Sequence, residues 1–399
     1  MNKRISVVAT SIYDGDFLTH YCKKMTEEGV AERTRLIVIP DRKTPSDLYQ
    51  KSQILGGLGY NVVCPTIEEQ DSYLKKLGTI ASIIPYDSDS RRNIGYLMAY
   101  EFGDEIIISI DDDNYPHDGK SFFREHGIVA KGLKKAKVTK TTNGWFNICD
   151  LLEFNTEGNI YARGFPYYAR FDSEKSVEDK QLEAQVHINA GLWLNSPDVD
   201  AITWLGLQPH ATAFKEKSVI LSKNTWTPIN TQNTSLNREV LPSYWFVKMG
   251  YPISGMSIDR YGDIFSGYFA QKCAKHLGYN TRVGSPSVDH LRNTHNAIKD
   301  LNYEFICVIV LEDILKWLTE VKLDGSTYAE AYLSLASQME DAVQKFDGFI
   351  WNAATKGYFH HLAYCMRVWV DTIKILDGAH VGKRKVKNGP LKASTYLPK

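Results

Sequence analysis

The sequence predicts an α/β protein, a Rossmann-like sheet followed by a helical C-terminal subdomain. Three observations predict it. Apolar runs alternate with longer amphipathic segments through the first third, a triple aspartate closes the last of those runs, and helical periodicity takes over after Tyr303.

Ile5 to Ala9, Arg35 to Ile39, Tyr60 to Val63 and Glu105 to Ile110 read as strands. Between them, Asp16 to Glu28, Ser46 to Leu58 and Arg91 to Tyr100 carry apolar residues at helical spacing. Ligands of such sheets collect at the carboxyl ends of the strands, where Asp41 and Asp111 to Asp113 fall. The middle, from about Lys120 to Asn237, reads as irregular and aromatic-rich, with RGFPYYAR and GLWLNSPDVDAITWL as its densest stretches, a composition that suits the lining of a pocket. RYGDIFSGYFAQKCAKHLG, from Arg260, reads as a helix stopped by Gly278, and RVGSPSVDH as a short strand. Tyr303 to Val321, Tyr328 to Phe346 and Tyr358 to Leu376 read as amphipathic helices. The expected divisions are a catalytic domain over 1–300, a helical subdomain over 301–378 and a basic, disordered tail over 379–399.

A chain of 399 residues with 43% hydrophobic and 24% charged residues and no net charge has no global pull toward nucleic acid or membrane. The first residues are too polar for a secretory signal, and no apolar run approaches the ~18 residues of a membrane span, so a cytoplasmic protein is expected. Six cysteines without a CxxC pair read as reduced thiols.

Along an extended segment, Asp111 and Asp113 would share one face and Asp112 the other. Two convergent carboxylates at a strand end suit a hard divalent cation with positions left open for phosphate oxygens. A solvated acidic turn has the same short pattern. Arg91 and Arg92, at the preceding helix start, could face a diphosphate or lie on a solvated surface. Arg163 and Arg170 bracket a proline and aromatics, as stacked structural arginines or as groups acting on a phosphate or a sugar. Asp259 suits a helix cap, while Asp263, one turn in, could project into a pocket. His290 could complete a metal shell at the aspartate edge, whereas His360 and His361, adjacent on a helix, diverge and read as packing or surface residues.

Together the triple aspartate, RGFPYYAR, GLWLNSPDVDA, LNREVL and RYGDIFSGYFAQKCAKHLG resemble the reversibly glycosylated polypeptides, the UDP-arabinopyranose mutase family. The resemblance runs in order from about Ile5 to His290, and GLWLN-x-PD-x-DA is its most specific piece. It implies a GT-A-like, nucleotide-sugar-binding sheet, a UDP-sugar substrate such as UDP-arabinose, and Mn²⁺ or Mg²⁺ at the triple aspartate, for which Asp111, Asp113 and His290 are the expected ligands. It further implies that a sugar is carried reversibly on Arg163, with Arg170 as the second motif arginine; since a guanidinium is a poor nucleophile and needs a nearby carboxylate, Asp263 is the candidate read from its position. Asp41, Arg91, Arg92, Asp111, Asp112 and Trp193 are then placed on the nucleotide sugar. The family's tendency to assemble implies a homo-oligomer.

The sequence also departs from the family pattern. The stretch between Arg170 and Gly191 is longer than in plant members, Ala190 stands where a histidine usually precedes GLWLN, and Gly262 replaces another aspartate. These changes fall on the acceptor side. The alternative reading is therefore a glycosyltransferase with an external acceptor, including a polyanion such as nucleic acid met by the basic tail and by Lys131, Lys134, Lys135, Lys137 and Lys140, although both basic runs read first as solvated surface. A third is a scaffold that binds UDP-sugar or partner subunits without turnover.

Overall fold

The structure is a computed structural model, and it describes residues 3–171, 174–215, 218–253, 256–293 and 295–383. The N-terminal part runs β1 (Ile5–Ser11), α1 (Asp16–Glu27), β2 (Thr34–Pro40), α2 (Ser46–Gly57), β3 (Asn61–Val63), α3 (Ile67–Lys76), α4 (Arg92–Glu101) and β4 (Ile106–Ile110). β3, β2, β1 and β4 lie side by side and parallel. β4, Ile-Ile-Ile-Ser-Ile, is buried throughout, as a strand covered on both faces must be.

Past β4 come β5 (Asn114–Pro116), α5 (Phe123–His126), β6 (Gly132–Thr141), β7 (Leu152–Phe154), β8 (Lys175–Asn195), α6 (Ala201–Gly206), β9 (Ala211–Phe214), β10 (Val219–Ile220) and β11 (Asn233–Asn237). There follow β12 (Tyr251–Ile253), β13 (Met256–Ile258), α7 (Gly262–His276), β14 (Asn280–His290), α8 (Ala297–Glu320), α9 (Tyr328–Lys345) and α10 (Ala353–Lys383). The main sheet has the order β3-β2-β1-β4-β11-β8-β6-β10-β14-β5, with β11 antiparallel to β4. The Rossmann-like sheet expected from the sequence is observed, and beyond β4 it is extended by a mixed half in which most pairs are antiparallel but β6–β10 and β8–β14 are parallel, an extension the sequence did not announce.

The middle of the chain is not irregular. The acid- and lysine-rich segment before GLWLN forms most of β8, which runs 21 residues and pairs antiparallel with β6. Its N-terminal part is a solvated ribbon, so the alternation of apolar and polar residues that marks a half-buried strand is missing. Charges satisfy one another across it: Lys137 Nζ lies 3.1 Å from Asp179 Oδ2 and Lys140 Nζ 3.8 Å from Glu178 Oε1. Two of the lysines set aside for a polyanion thus already face acids.

Helix α4 packs against the sheet at Gly95, where a Cβ would stand 2.5 Å from Val8 Cγ1. That close approach brings the start of α4, with Arg92, beside the carboxyl end of β4. The three last helices brace the rest: Trp369 Nε1 of α10 donates to the Leu241 carbonyl at 2.8 Å, and Glu304 of α8 accepts the Ala201 N–H at 2.8 Å. All six cysteines are free thiols. Among the described residues no helix is long and apolar enough to cross a membrane. α10 continues to Lys383, and the remainder of the expected tail, 384–399, lies outside the described residues.

Candidate active site

The carboxyl ends of β1, β2 and β4 open into a cleft of about 360 Å³. Asp41, Arg91, Arg92, Asp111, Asp112, Asp113, Arg163, Asp263 and His290 line it, so most of the expected site residues are brought together.

The aspartates do not continue β4 as an extended strand. The chain turns there, with the Asn114 N–H donating to the Asp111 carbonyl at 3.2 Å, so alternation of faces does not apply and all three aspartates reach the cleft. Asp111 Oδ1 accepts from Arg92 Nη2 at 2.5 Å, while Arg92 also reaches Ser109 Oγ, the Thr231 carbonyl and Thr10 Oγ1. Burial, with Asp113 and Asp111 adding to it, pushes Asp112 up to about 7. Asp113 Oδ2 lies 3.4 Å from His290 Nε2. His290 Nδ1 sits 2.6 Å from the Ser196 carbonyl, which can only accept, so Nδ1 carries a proton and Nε2 is turned toward Asp113. Burial opposes charge on this imidazole, but the Asp113 carboxylate outweighs it and raises its pKa above the usual value.

The three expected metal ligands are therefore not gathered into one set. Asp113 and His290 meet, whereas Asp111 is drawn off by Arg92, and among the described residues no three His, Cys, Asp or Glu side chains are grouped to hold a metal ion. A carboxylate and an imidazole nitrogen with open positions beside them still match what a cation sharing its shell with a diphosphate requires.

Arg163 is 6% exposed and clamped. Its Nε and Nη2 donate to the two oxygens of Asp198 at 2.7 and 3.1 Å, and its Nη1 and Nη2 to the two oxygens of Asp263 at 3.1 and 2.7 Å. Nη1 also donates to the Arg260 carbonyl. The sequence builds this clamp locally. Gly164 has φ +83° and a Cβ there would meet Ile264 Cγ2 at 2.5 Å, so only glycine lets the loop lie on the first turn of α7 where Asp263 stands. Tyr268 Oη donates to the Gly164 carbonyl at 2.9 Å, fixing the loop one turn further along. Burial works against the charge on Arg163, yet Asp198 and Asp263 outweigh it and hold its pKa well above the usual arginine value. Asn230 Nδ2 anchors Asp198 at 2.6 Å.

Two expected site residues lie off the cleft, and two that line it are already committed to other partners. Arg170 does not line the cleft; it bonds Asp200 at 2.7 Å and stacks 3.5 Å over Tyr167, as an arginine tying down an aromatic loop does. Trp193 is 2% exposed in β8, opposite Val288 of β14, and belongs to the core rather than to a ligand surface, because its position on the pleat faces inward. Arg91 reaches the cleft wall with its guanidinium committed to Gln70 and stacked 4.5 Å over Tyr86. Asp41 is likewise committed, accepting the N–H groups of Arg42 at 2.8 Å and Ser88 at 3.1 Å.

Asp198 was not singled out by the sequence reading. It lies inside GLWLNSPDVDA, the stretch with no generic structural explanation, and that was the available signal. Nor was the rim cluster in which Arg260, Arg292 and His295 gather on Asp300 of α8 at 3.3, 3.2 and 3.1 Å, since its members come from three separate stretches of chain.

The profile of the reversibly glycosylated polypeptide family matches residues 2–378. The probable UDP-arabinopyranose mutase 4 of Arabidopsis thaliana is 27% identical over 306 residues, covering 75% of each chain. The UDP-arabinopyranose mutase 1 of Oryza sativa subsp. japonica is 26% identical over 321 residues, covering 79% of each. Among solved structures, glucosyl-3-phosphoglycerate synthase from Mycobacterium tuberculosis, in complex with Mn²⁺ and UDP-glucose, aligns over 78% of this chain and 79% of that one, at 12% identity and a TM-score of 0.35, a likeness too slight to carry an argument.

Proposed function

The chain belongs to the reversibly glycosylated polypeptide family, and from that premise we propose that it is a UDP-sugar mutase that interconverts pyranose and furanose forms through a sugar carried on Arg163. The observation that supports this reading most is the Arg163 guanidinium, buried in the same cleft as Asp113 and His290 and held by two carboxylates.

In this reading a nitrogen of Arg163 attacks C1 of the sugar as the bond from C1 to the UDP oxygen breaks. A guanidinium is a poor nucleophile because its proton is hard to remove. Asp263, 2.7 Å from Nη2, accepts that proton as the new bond forms, while Asp198 keeps the rest of the guanidinium in place. The same carboxylates that stabilise the resting cation thus supply the proton's destination. The nitrogen lone pair then opens the ring, and the ring oxygen takes the proton back from Asp263. Closure through a different hydroxyl, whose proton passes to Asp263, changes the ring size; a UDP oxygen then bonds C1 as the C1–N bond breaks, and the released Arg163 nitrogen takes its proton back from Asp263. Arg92, buried and bonded to Asp111 at the start of α4, would lend its charge to the diphosphate end of the cleft, and Asp113 with His290 would hold a divalent cation. When bound, that cation supplies charge stabilisation for the departing diphosphate.

The reading is tested by Arg163→Lys. The variant should bind UDP as the parent does and lose both sugar attachment and ring interconversion. Interconversion at near-parental rate in that variant would remove Arg163 from the mechanism.

A further inference from the structure

A second cavity, of about 790 Å³, shares no lining residue with the cleft. It lies between the C-terminal turn of α7, the end of α8 and the segments around Trp145 and Trp226. Five lysines line it, Lys223, Lys272, Lys275, Lys316 and Lys322, against one carboxylate, Glu320. Among the described residues none of the five has an ion-pair partner within 4.0 Å. In a chain with no net charge, that is a local excess with nothing to balance it.

The bland account covers only part of the cluster. Lys275 donates to the carbonyls of Ser222, Lys223 and Thr225 at 3.1, 3.2 and 2.8 Å, as a lysine in the last turn of a helix commonly does for nearby carbonyls. Lys272 is different. It is 8% exposed, its one hydrogen bond among the described residues is a 3.4 Å contact to the Thr319 carbonyl, and it lies 5.7 Å from the Trp226 ring centroid. An ammonium group has three donors, and a buried one without a counter-charge is costly. Lys316, 5.0 Å over the Tyr168 ring, stands at the mouth with Lys223 and Lys322, all three exposed. Burial pushes Lys272 down to about 8 and Lys275 down to about 7, a cost that an incoming anion would relieve.

We propose that this cavity binds a phosphate-bearing small anion, with Lys272 as its inner contact and Lys223, Lys316 and Lys322 around its mouth. The lining has no guanidinium fork to select a flat carboxylate, and lysines act on phosphate as point charges from several directions. The volume falls in the range of cavities that take a small organic ligand, roughly 300–1,000 Å³, which favours a phosphorylated metabolite over free phosphate.

Calorimetric titration of the whole chain without UDP, which bears phosphate and would compete, tests this using glucose 6-phosphate and inorganic phosphate as separate probes, and the lysine variants separate binding here from binding in the cleft. We expect the sugar phosphate to bind more tightly than inorganic phosphate, Lys272→Gln to weaken it at least ten-fold, and the exposed pair Lys316→Gln/Lys322→Gln to weaken it several-fold. The exposed pair keeps the test informative if Lys272→Gln folds poorly. Failure of both probes to bind the parent chain, or binding that neither variant alters, would overturn the proposal.

Discussion

Arg163 and Asp263 meet through two parallel hydrogen bonds, 3.1 and 2.7 Å long, across 100 positions of sequence. The contact joins the RGFP loop to the first turn of α7 and sets a proton acceptor on the group proposed to attack the sugar. Asp263→Asn keeps the shape and removes that acceptor. Turnover should fall by about 100- to 10,000-fold, the range of a lost general base, with UDP affinity unchanged. Steady-state kinetics and UDP titration of the variant check this, and near-parental turnover would require another base.

Asp198 has the opposite balance of roles. It holds Arg163 through two bonds and is itself held by Asn230, all of them buried. Asp198→Ala leaves a buried guanidinium with one partner fewer, and breaking a buried ion pair costs about 3–5 kcal/mol. Urea denaturation should show a loss of that order, whereas a surface-like effect of under ~1 kcal/mol would mean that Asp263 alone suffices to hold the arginine.

Gly262 replaces an aspartate that the resemblance implies, and the structure supplies a reason. A Cβ there would stand 2.3 Å from the Val247 carbonyl oxygen and 3.0 Å from the Phe246 ring. Gly262→Ala should therefore destabilise by about 1–3 kcal/mol, the usual cost of overpacking. A neutral result in thermal or chemical denaturation would show that the 246–247 segment can yield.

If a divalent cation is held by Asp113 and His290, EDTA should weaken UDP binding and Mn²⁺ should restore it. His290→Ala should abolish that response while leaving metal-free UDP binding intact. Titrations in which EDTA makes no difference would remove the metal from the proposed function.

The buried lysines give a pH dependence with a definite sign. Lys272 and Lys275 have folded pKa values of about 8 and about 7, below the ordinary 10.5. Between these values the unfolded chain binds more protons, so their contribution to stability rises with pH across roughly pH 7 to 10.5 and is least favourable below it. Lys272→Met should flatten the slope of unfolding free energy between pH 8 and 10, relative to the parent. An unchanged slope would mean that Lys272 keeps an ordinary pKa.

The parallel half of the sheet was legible because β1, β2 and β4 are continuous apolar runs with helical periodicity between them. β8 was not, since its outer half is largely exposed and is held by cross-strand pairing with β6 and by charge pairs rather than by a buried face. In the site, Asp113, Arg163, Asp263 and His290 could be named because they sit in recognisable motifs. Whether an arginine in such a motif faces the ligand or fastens its own loop depends on partners distant in sequence. Arg170 with Asp200, and Arg91 with Gln70, are fasteners for that reason. Trp193 was misplaced by the same limit, because a motif does not state which side of a strand it lines.

The measurement that bears most directly on the central claim is the intact mass of the purified chain after incubation with UDP-arabinopyranose and Mn²⁺, with the soluble products identified in parallel. The account predicts a gain of one pentose that excess UDP reverses, UDP-arabinofuranose in solution, and the modification on Arg163. An unmodified chain that releases UDP only when an acceptor is added would contradict it and turn the cleft into that of a transferase.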